Sequence, residues 1–374
     1  MKIAFIDLMQ QQSRIRDKID AGLAAVLNHG AYIMGPEIGA LERRLGEWTK
    51  ATHNISCSSG TDALLLALHG LELRPGQGVI VPSFTFAASA EVMPIMGAIP
   101  IFAEVEADSF NLDPNKLEAA LAAGQAADIN VVGIIGVGLF GQPANYDAIR
   151  TFANTHNLWL IDDAAQSFGA QWRGRPVGQL ADVTCTSFFP AKPLGAYGDG
   201  GAVFTNNDKI ADIVTSCRIH GMGKDKYENI RVGMTGRLDS MQAVVLDAKL
   251  DIFEDELALR QAVADRYQKL IGDIVDAPLL SAGATSSWAQ YCIKLPKASN
   301  RDHVIKHLGA CGVPTAIYYP IPIHRQPPYI GFPLSQCGLS VTLELCGRVL
   351  ALPMHPYLDE AQQQHIASEL RNAL

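Results

Sequence analysis

With 374 residues, of which 48% are hydrophobic and 18% charged, the chain has the size of about two domains and can bury a large core. A net charge of −8 argues against a non-specific nucleic-acid binder, which needs a basic face. The seven cysteines are scattered without a Cys-x-x-Cys spacing, which argues against a disulfide framework or a zinc site, and no apolar run reaches membrane-spanning length. The start, residues 1–7, is too poor in apolar residues for a signal peptide, so a cytoplasmic location is expected.

The elements follow in chain order. A Ser/Gly/Thr-rich turn at 55–62 opens the strong helix-forming stretch 63–68. Residues 79–81, 99–102, 131–137, 159–161, 183–187 and 202–204 are expected as strands, and 111–114 as an entry into a helix over 115–122. Short apolar strands alternating with helical patterns predict an α/β fold with a mainly parallel sheet covered by helices. The character changes after Gly236. Residues 238–253 and 255–271 have long helical patterns, the second with Leu259, Val263, Tyr267 and Leu270 near one face. A strand at 291–295, a helix at 301–310 and a terminal helix at 359–374 complete the chain. The stretch 314–329 is too dense in proline to form a regular helix.

Three segments carry candidate chemistry. In Ser187-Phe188-Phe189-Pro190-Ala191-Lys192-Pro193-Leu194-Gly195 one lysine stands between two prolines, and Gly198-Asp199-Gly200-Gly201 follows. Proline fixes φ and glycine permits positive φ, so this lysine sits in a specified, irregular backbone. A desolvated lysine loses its proton more easily and then forms an imine with a carbonyl; a surface loop lysine is the plain alternative. The apolar run 158–161 leads into Asp162-Asp163, carboxylates at the carboxyl end of a buried strand, where open α/β sheets bind ligands. The pair is open to a divalent cation or to a protonated ring nitrogen. The turn at 55–62 offers free N–H groups and a helix dipole to an anion, or is an ordinary N-cap. A pyridoxal phosphate enzyme needs these three parts: a lysine, an acid for the pyridine nitrogen and a phosphate site.

Ser-Gly-Thr-Asp-Ala-Leu (59–64), Pro-Ser-Phe-Thr-Phe (82–86), Ile-Asp-Asp-Ala-Ala-Gln (161–166), the Lys192 segment, Gly-Asp-Gly-Gly-Ala (198–202), Arg-Ile-His-Gly (218–221) and Gly-Arg-Leu-Asp-Ser-Met-Gln-Ala (236–243) occur in that order. Together they resemble the DegT/DnrJ/StrS-type sugar aminotransferases, over essentially the whole chain. The resemblance implies the pyridoxal-phosphate transferase fold type I (aspartate aminotransferase-like). A large domain over 1–245 would bind pyridoxal 5'-phosphate, with a smaller α+β domain over 246–374, and the N-terminal stretch would pack on the small domain. It implies a homodimer with shared active sites.

By the same resemblance, Lys192 is the Schiff-base lysine and Asp163 the pyridinium partner. Gln166 faces the cofactor's phenolic oxygen, Gly60, Thr61, Asp62 and Ser187 cradle the phosphate, and Phe86 stacks on the ring. Where the family usually has an asparagine reaching the partner's phosphate, this chain has Thr235, a shorter donor. Arg237, Tyr318, Tyr319 and His324 are the implied substrate contacts, and His220 is read as structural or substrate-facing. An ion pair with Asp239 is the competing reading for Arg237.

Within the family the chain looks closest to aminotransferases of UDP-2-acetamido-2-deoxy-3-oxo-glucuronate. The expected reaction uses L-glutamate as donor and releases 2-oxoglutarate, for bacterial surface polysaccharide. Another 3- or 4-keto nucleotide sugar is the alternative substrate. The rivals are a dehydratase, against which Lys192 argues because such relatives carry histidine there, and a non-enzymatic cofactor- or sugar-sensing regulator.

Overall fold

A computed structural model gives the fold of residues 3–374. The strands are β1 (His53–Cys57), β2 (Gly78–Pro82), β3 (Ile99–Ala103), β4 (Val131–Val137), β5 (Trp159–Asp163), the two-residue pair β6 (Gln171–Trp172) and β7 (Arg175–Pro176), β8 (Val183–Ser187) and β9 (Gly201–Thr205). Seven of them form one sheet in the order β1-β9-β8-β5-β4-β2-β3. β2 is parallel to β3 and β4, β4 to β5, and β5 to β8. β9 runs antiparallel to both β8 and β1. A parallel return needs a crossover of a dozen or more residues, usually a helix. The link from β8 to β9 is instead the proline- and glycine-punctuated loop that carries Lys192, so the strand turns back beside its predecessor.

Helix α1 (Leu8–His29) packs on the helix over Ser240–Leu250, and helices α2 (Pro36–Thr49), α3 (Gly60–Gly70), α4 (Ala88–Ile95), α5 (Leu117–Ala126), α6 (Tyr146–Thr155) and α7 (Asp208–Cys217) flank this sheet. Strand side chains alternate between two cores, as the two-residue period requires. Val79, Val81 and Ile161 join Leu64 and Leu68 of α3 and Val214 of α7. Ile80 and Leu160 face the other way, toward Leu121 of α5 and Ile149 of α6. Burial on both faces is why these strands read as continuous apolar runs.

Helix α8 (Ser240–Leu250) is followed at once by α9 (Phe253–Ile271), whose first turn carries Glu254, Asp255 and Glu256 at the positive end of the helix dipole. The buried stripe of α9 is Glu256, Arg260, Val263, Ala264, Tyr267 and Ile271, whereas the expected Leu259 and Leu270 are only partly buried. The difference arises because Arg260 and Glu256 find partners inside. Arg260 donates to the Trp288 carbonyl at 2.9 Å, and Glu256 accepts from Gln11 at 2.8 Å.

Beyond α9, β10 (Tyr291–Lys294), α10 (Arg301–Ala310), α11 (Ser340–Arg348), β11 (Val349–Leu352) and α12 (Glu360–Ala373) complete the chain, with β10 and β11 antiparallel. Their core gathers Tyr267, Tyr291, Leu308, Leu352 and Leu370, together with Ile3 from the N-terminal stretch. The segment 314–329 holds only two short 3-10 turns, Ile323–Arg325 and Pro327–Tyr329.

Candidate active site

The carboxyl end of β5, the start of α3 and the β8–β9 loop meet around a cavity of about 450 Å³. The loop is pinned at its root: the Phe188 N–H donates to the Gly200 carbonyl and the Ala196 N–H to the Phe188 carbonyl, both at 2.7 Å. Lys192 closes a turn on the Phe189 carbonyl at 2.8 Å, and its side chain lines the cavity with Asp163. Burial pushes the Lys192 ammonium below its ordinary pKa, and the Asp163 charge partly restores it.

Strand alternation separates the two adjacent aspartates. Asp162 faces α6, where its Oδ1 accepts from Tyr146 Oη at 2.6 Å, and burial pushes it up to about 7. Asp163 faces the cavity. Its Oδ2 accepts from Ser89 Oγ at 2.6 Å and its Oδ1 from the Ala165 N–H at 3.2 Å. Burial raises its pKa, and these two bonds and Lys192 hold the rise back. Ser89 is in turn 3.0 Å from Thr85 Oγ1. Neither Ser89 nor Thr85 was singled out in the sequence. A serine at the first turn of an apolar helix carries no signal of its own.

At the start of α3, Ser59 caps the helix by accepting from the Asp62 N–H at 3.0 Å. The Gly60 and Thr61 amides precede the first intrahelical bonds and are free to meet an anion beside Ser187. Asp62 does not line the cavity; its carboxylate accepts from Ser58 Oγ at 2.5 Å, behind the cap. A Cβ on Gly60 would stand 2.6 Å from Ser187 Cβ, so the close approach of the two elements requires glycine.

Phe86 lines the same cavity and remains 54% exposed, an aromatic face on which the chain itself packs little. Gln166 is buried; its Oε1 accepts from the Phe140 N–H at 2.7 Å and its Nε2 donates to Tyr319 Oη at 3.2 Å. Tyr318 and Tyr319 line the cavity, and burial raises both hydroxyls. Gln290 and Asp199 also line it, and the Gln290 Oε1 is buried without a partner.

The remaining sequence-expected residues stand elsewhere. His324 is held against Ser83, Nδ1 to Oγ 2.7 Å, outside the cavity lining. Thr235 Oγ1 lies 2.8 Å from His220 Nε2. Arg237 borders a separate cleft with His220, Lys226 and Asn229, and its Nε is buried without a hydrogen-bond partner. Among the described residues Arg237 makes no ion pair, with Asp239 or otherwise.

The chain matches the DegT/DnrJ/EryC1/StrS aminotransferase family over residues 13–371. It belongs to that family. The UDP-2-acetamido-2-deoxy-3-oxo-D-glucuronate aminotransferase of Pseudomonas aeruginosa is 45% identical over 371 residues, 99% of this chain and 100% of that protein. A crystal structure of a DegT DnrJ EryC1 StrS aminotransferase from Brucella abortus superposes with a TM-score of 0.96 at 44% identity, covering 99% of both chains. A Bacillus subtilis structure with bound cofactor PMP has a TM-score of 0.90 at 28% identity, covering 100% of this chain and 85% of that one.

Like its relatives, this DegT/DnrJ/EryC1/StrS member is an aminotransferase of fold type I that depends on pyridoxal phosphate. The donor set fits that cofactor. The cavity presents an amine, an acid, an open aromatic face, two free helix amides and an unpartnered buried amide oxygen.

Proposed function

We propose that the enzyme transfers the amino group of L-glutamate to a nucleotide-linked keto sugar, and that the sugar is UDP-2-acetamido-2-deoxy-3-oxo-glucuronate. The observation that carries the reaction is the meeting of Lys192 and Asp163 in one buried cavity whose far wall is the amino end of α3. The substrate is supported by the 45% identity to the Pseudomonas aeruginosa enzyme.

In this reading Lys192 would hold the cofactor, whose ring would supply an electron sink for the substrate carbon from which a proton is lost. Burial lowers the Lys192 pKa and so favours the neutral amine, whose Nζ would take and return that proton. Asp163, oriented by Ser89, keeps a proton on the ring nitrogen. Gly60, Thr61 and Ser187 would hold the phosphate, with Asp62 bracing the cap from behind. Phe86 would cover one ring face, and Gln166, which donates to Tyr319, would meet the phenolic oxygen.

Tyr318 and Tyr319 line the sugar's approach. His324, held against Ser83 outside the cavity lining, is kept in this reading as a substrate contact only by the family resemblance, and Arg237 offers a planar fork to a sugar carboxylate or a phosphate. Thr235 and Arg237 serve the partner's site in a homodimer. The exposed apolar side chains of Tyr227, Ile230 and Val232 on the adjoining segment support such a face.

The two-domain division belongs to the same proposal. Residue 245 lies inside α8, which packs on α1 and α2, so we place the break after Leu250. A cytoplasmic location accords with a nucleotide-sugar substrate, and no helix among the described residues is long and apolar enough to cross a membrane.

The test is a panel of UDP- and dTDP-linked amino sugars offered with 2-oxoglutarate, glutamate formation being measured. The 3-amino uronate should be consumed fastest. Equal or faster turnover of a 4-amino or non-acidic sugar would overturn the assignment.

A further inference from the structure

Three unlike side chains converge where α10 packs on α12. His307 stands in the last turn of α10, Cys311 caps that helix, and Glu369 faces them from α12. His307 Nε2 lies 3.0 Å from Glu369 Oε2. Cys311 Sγ lies 3.2 Å from the same oxygen and 3.8 Å from His307 Nε2. We propose that His307, Cys311 and Glu369 form a site for one divalent transition-metal ion of the zinc type, which staples α10 to α12 away from the transamination cavity.

Spacing supports this. Residues four apart on a helix are neighbours on one face, which brings His307 and Cys311 together. A tetrahedral zinc ion bound at about 2.0–2.3 Å by nitrogen, oxygen and sulfur holds those atoms about 3.3–3.6 Å apart. The three measured separations bracket that range, so small side-chain rotations admit the ion. His365, one turn before Glu369, sets its Nε2 3.0 Å from the Cys311 carbonyl and fixes the end of α10.

The competing reading is a nucleophilic cysteine relay. A relay places thiol and carboxylate on opposite nitrogens of the imidazole. Here Glu369 and Cys311 both face Nε2, the arrangement of ligands around a common centre. One thiolate and one carboxylate balance a divalent charge, and the sulfur and nitrogen donors disfavour magnesium and calcium. All three residues are only partly buried, so an ion has access. None of them lines the cavity that holds Lys192. Without the ion, the thiol donates to Glu369, which raises the thiol's pKa and lowers the carboxylate's. The ion replaces that proton, so binding strengthens as pH rises.

The experiment uses the cofactor-loaded enzyme, stripped with a chelator and desalted. Zinc is titrated by calorimetry, and cobalt(II) serves as the spectroscopic probe. Wild type should bind one ion per chain, show the intense visible bands of a four-coordinate cobalt thiolate site, and melt at a higher temperature with zinc. Cys311→Ser and Glu369→Gln should each lose at least about 100-fold in zinc affinity, and their melting should no longer respond, while transamination persists. Cys337→Ser, which removes the exposed thiol, should bind as wild type does. Failure of wild type to retain zinc overturns the proposal. So does unchanged binding in Cys311→Ser and Glu369→Gln, or loss of binding in Cys337→Ser alone.

Discussion

Two neighbouring carboxylates on β5 meet different surroundings because a strand turns successive side chains to opposite faces. Asp163→Asn should therefore depress transamination by several kcal/mol of barrier, on the order of a buried charge-assisted hydrogen bond at the electron sink and more. Asp162→Asn should change kcat little, and a matched loss in both variants would reassign the pair. Asp162 instead carries a pH signature. Its folded pKa of about 7 lies above the ordinary 3.8, so between these values the folded chain binds more protons than the unfolded one. Stability must then fall as pH rises from about 4 to 7, at up to about 1.4 kcal/mol per unit of pKa shift. The urea midpoint of wild type should drop between pH 5 and pH 8 by more than that of Asp162→Asn; parallel profiles would refute the burial argument. Lys192→Ala should lower kcat by at least about 10²–10⁴, the range of a lost general base. The yellow absorbance of the cofactor-loaded enzyme, bleached by glutamate in wild type, should be absent from that variant.

At the scale of elements, the site depends on two close approaches. The amino end of α3 meets β8 at Gly60 and Ser187, and the Lys192 loop folds back at Gly195, where a Cβ would lie 2.4 Å from the Pro190 carbonyl. Gly60→Ala should push α3 from Ser187 at a cost of about 1–3 kcal/mol, the usual penalty of overpacking. Because the displaced amides are the proposed phosphate donors, the cofactor's dissociation constant should rise more than the melting temperature falls. Equilibrium dialysis beside a thermal scan distinguishes the two; a purely thermal effect would separate Gly60 from the anion site. Motif residues at these junctions were legible in the sequence because glycine, proline and capping residues act locally. Helices α1, α2, α4, α6, α7 and α11 and strands β1, β6, β7 and β11 were not anticipated, and β1 occupies the start of the stretch 55–62 expected as a turn. Leu259 and Leu270 on the expected face of α9 are only partly buried, Leu270 packing on the core, while Arg260 and Glu256 join the buried stripe through Trp288 and Gln11, distant in the chain.

For the whole molecule, the proposed two-fold assembly makes the contributions of Arg237 and Lys192 reciprocal. Mixing inactive Lys192→Ala and Arg237→Ala chains should restore about a quarter of wild-type activity, because random pairing gives half mixed dimers with one intact site each. No recovery after demonstrated subunit exchange would place both residues in the site of one chain. The sequence by itself showed the alternating strands and helices through their apolar period, and the order of its short motifs carried the resemblance to the family and, through it, the expectation for the lysine and the acid. Only the tertiary structure decided which aspartate faces the cavity, that Ser89 orients it, and that Asp62 and His324 stand behind the lining. It also joined His307 and Cys311 to Glu369, a convergence that cysteine spacing alone argued against. Those decisions rest on strand register and helix packing, which bring together residues tens to hundreds of positions apart.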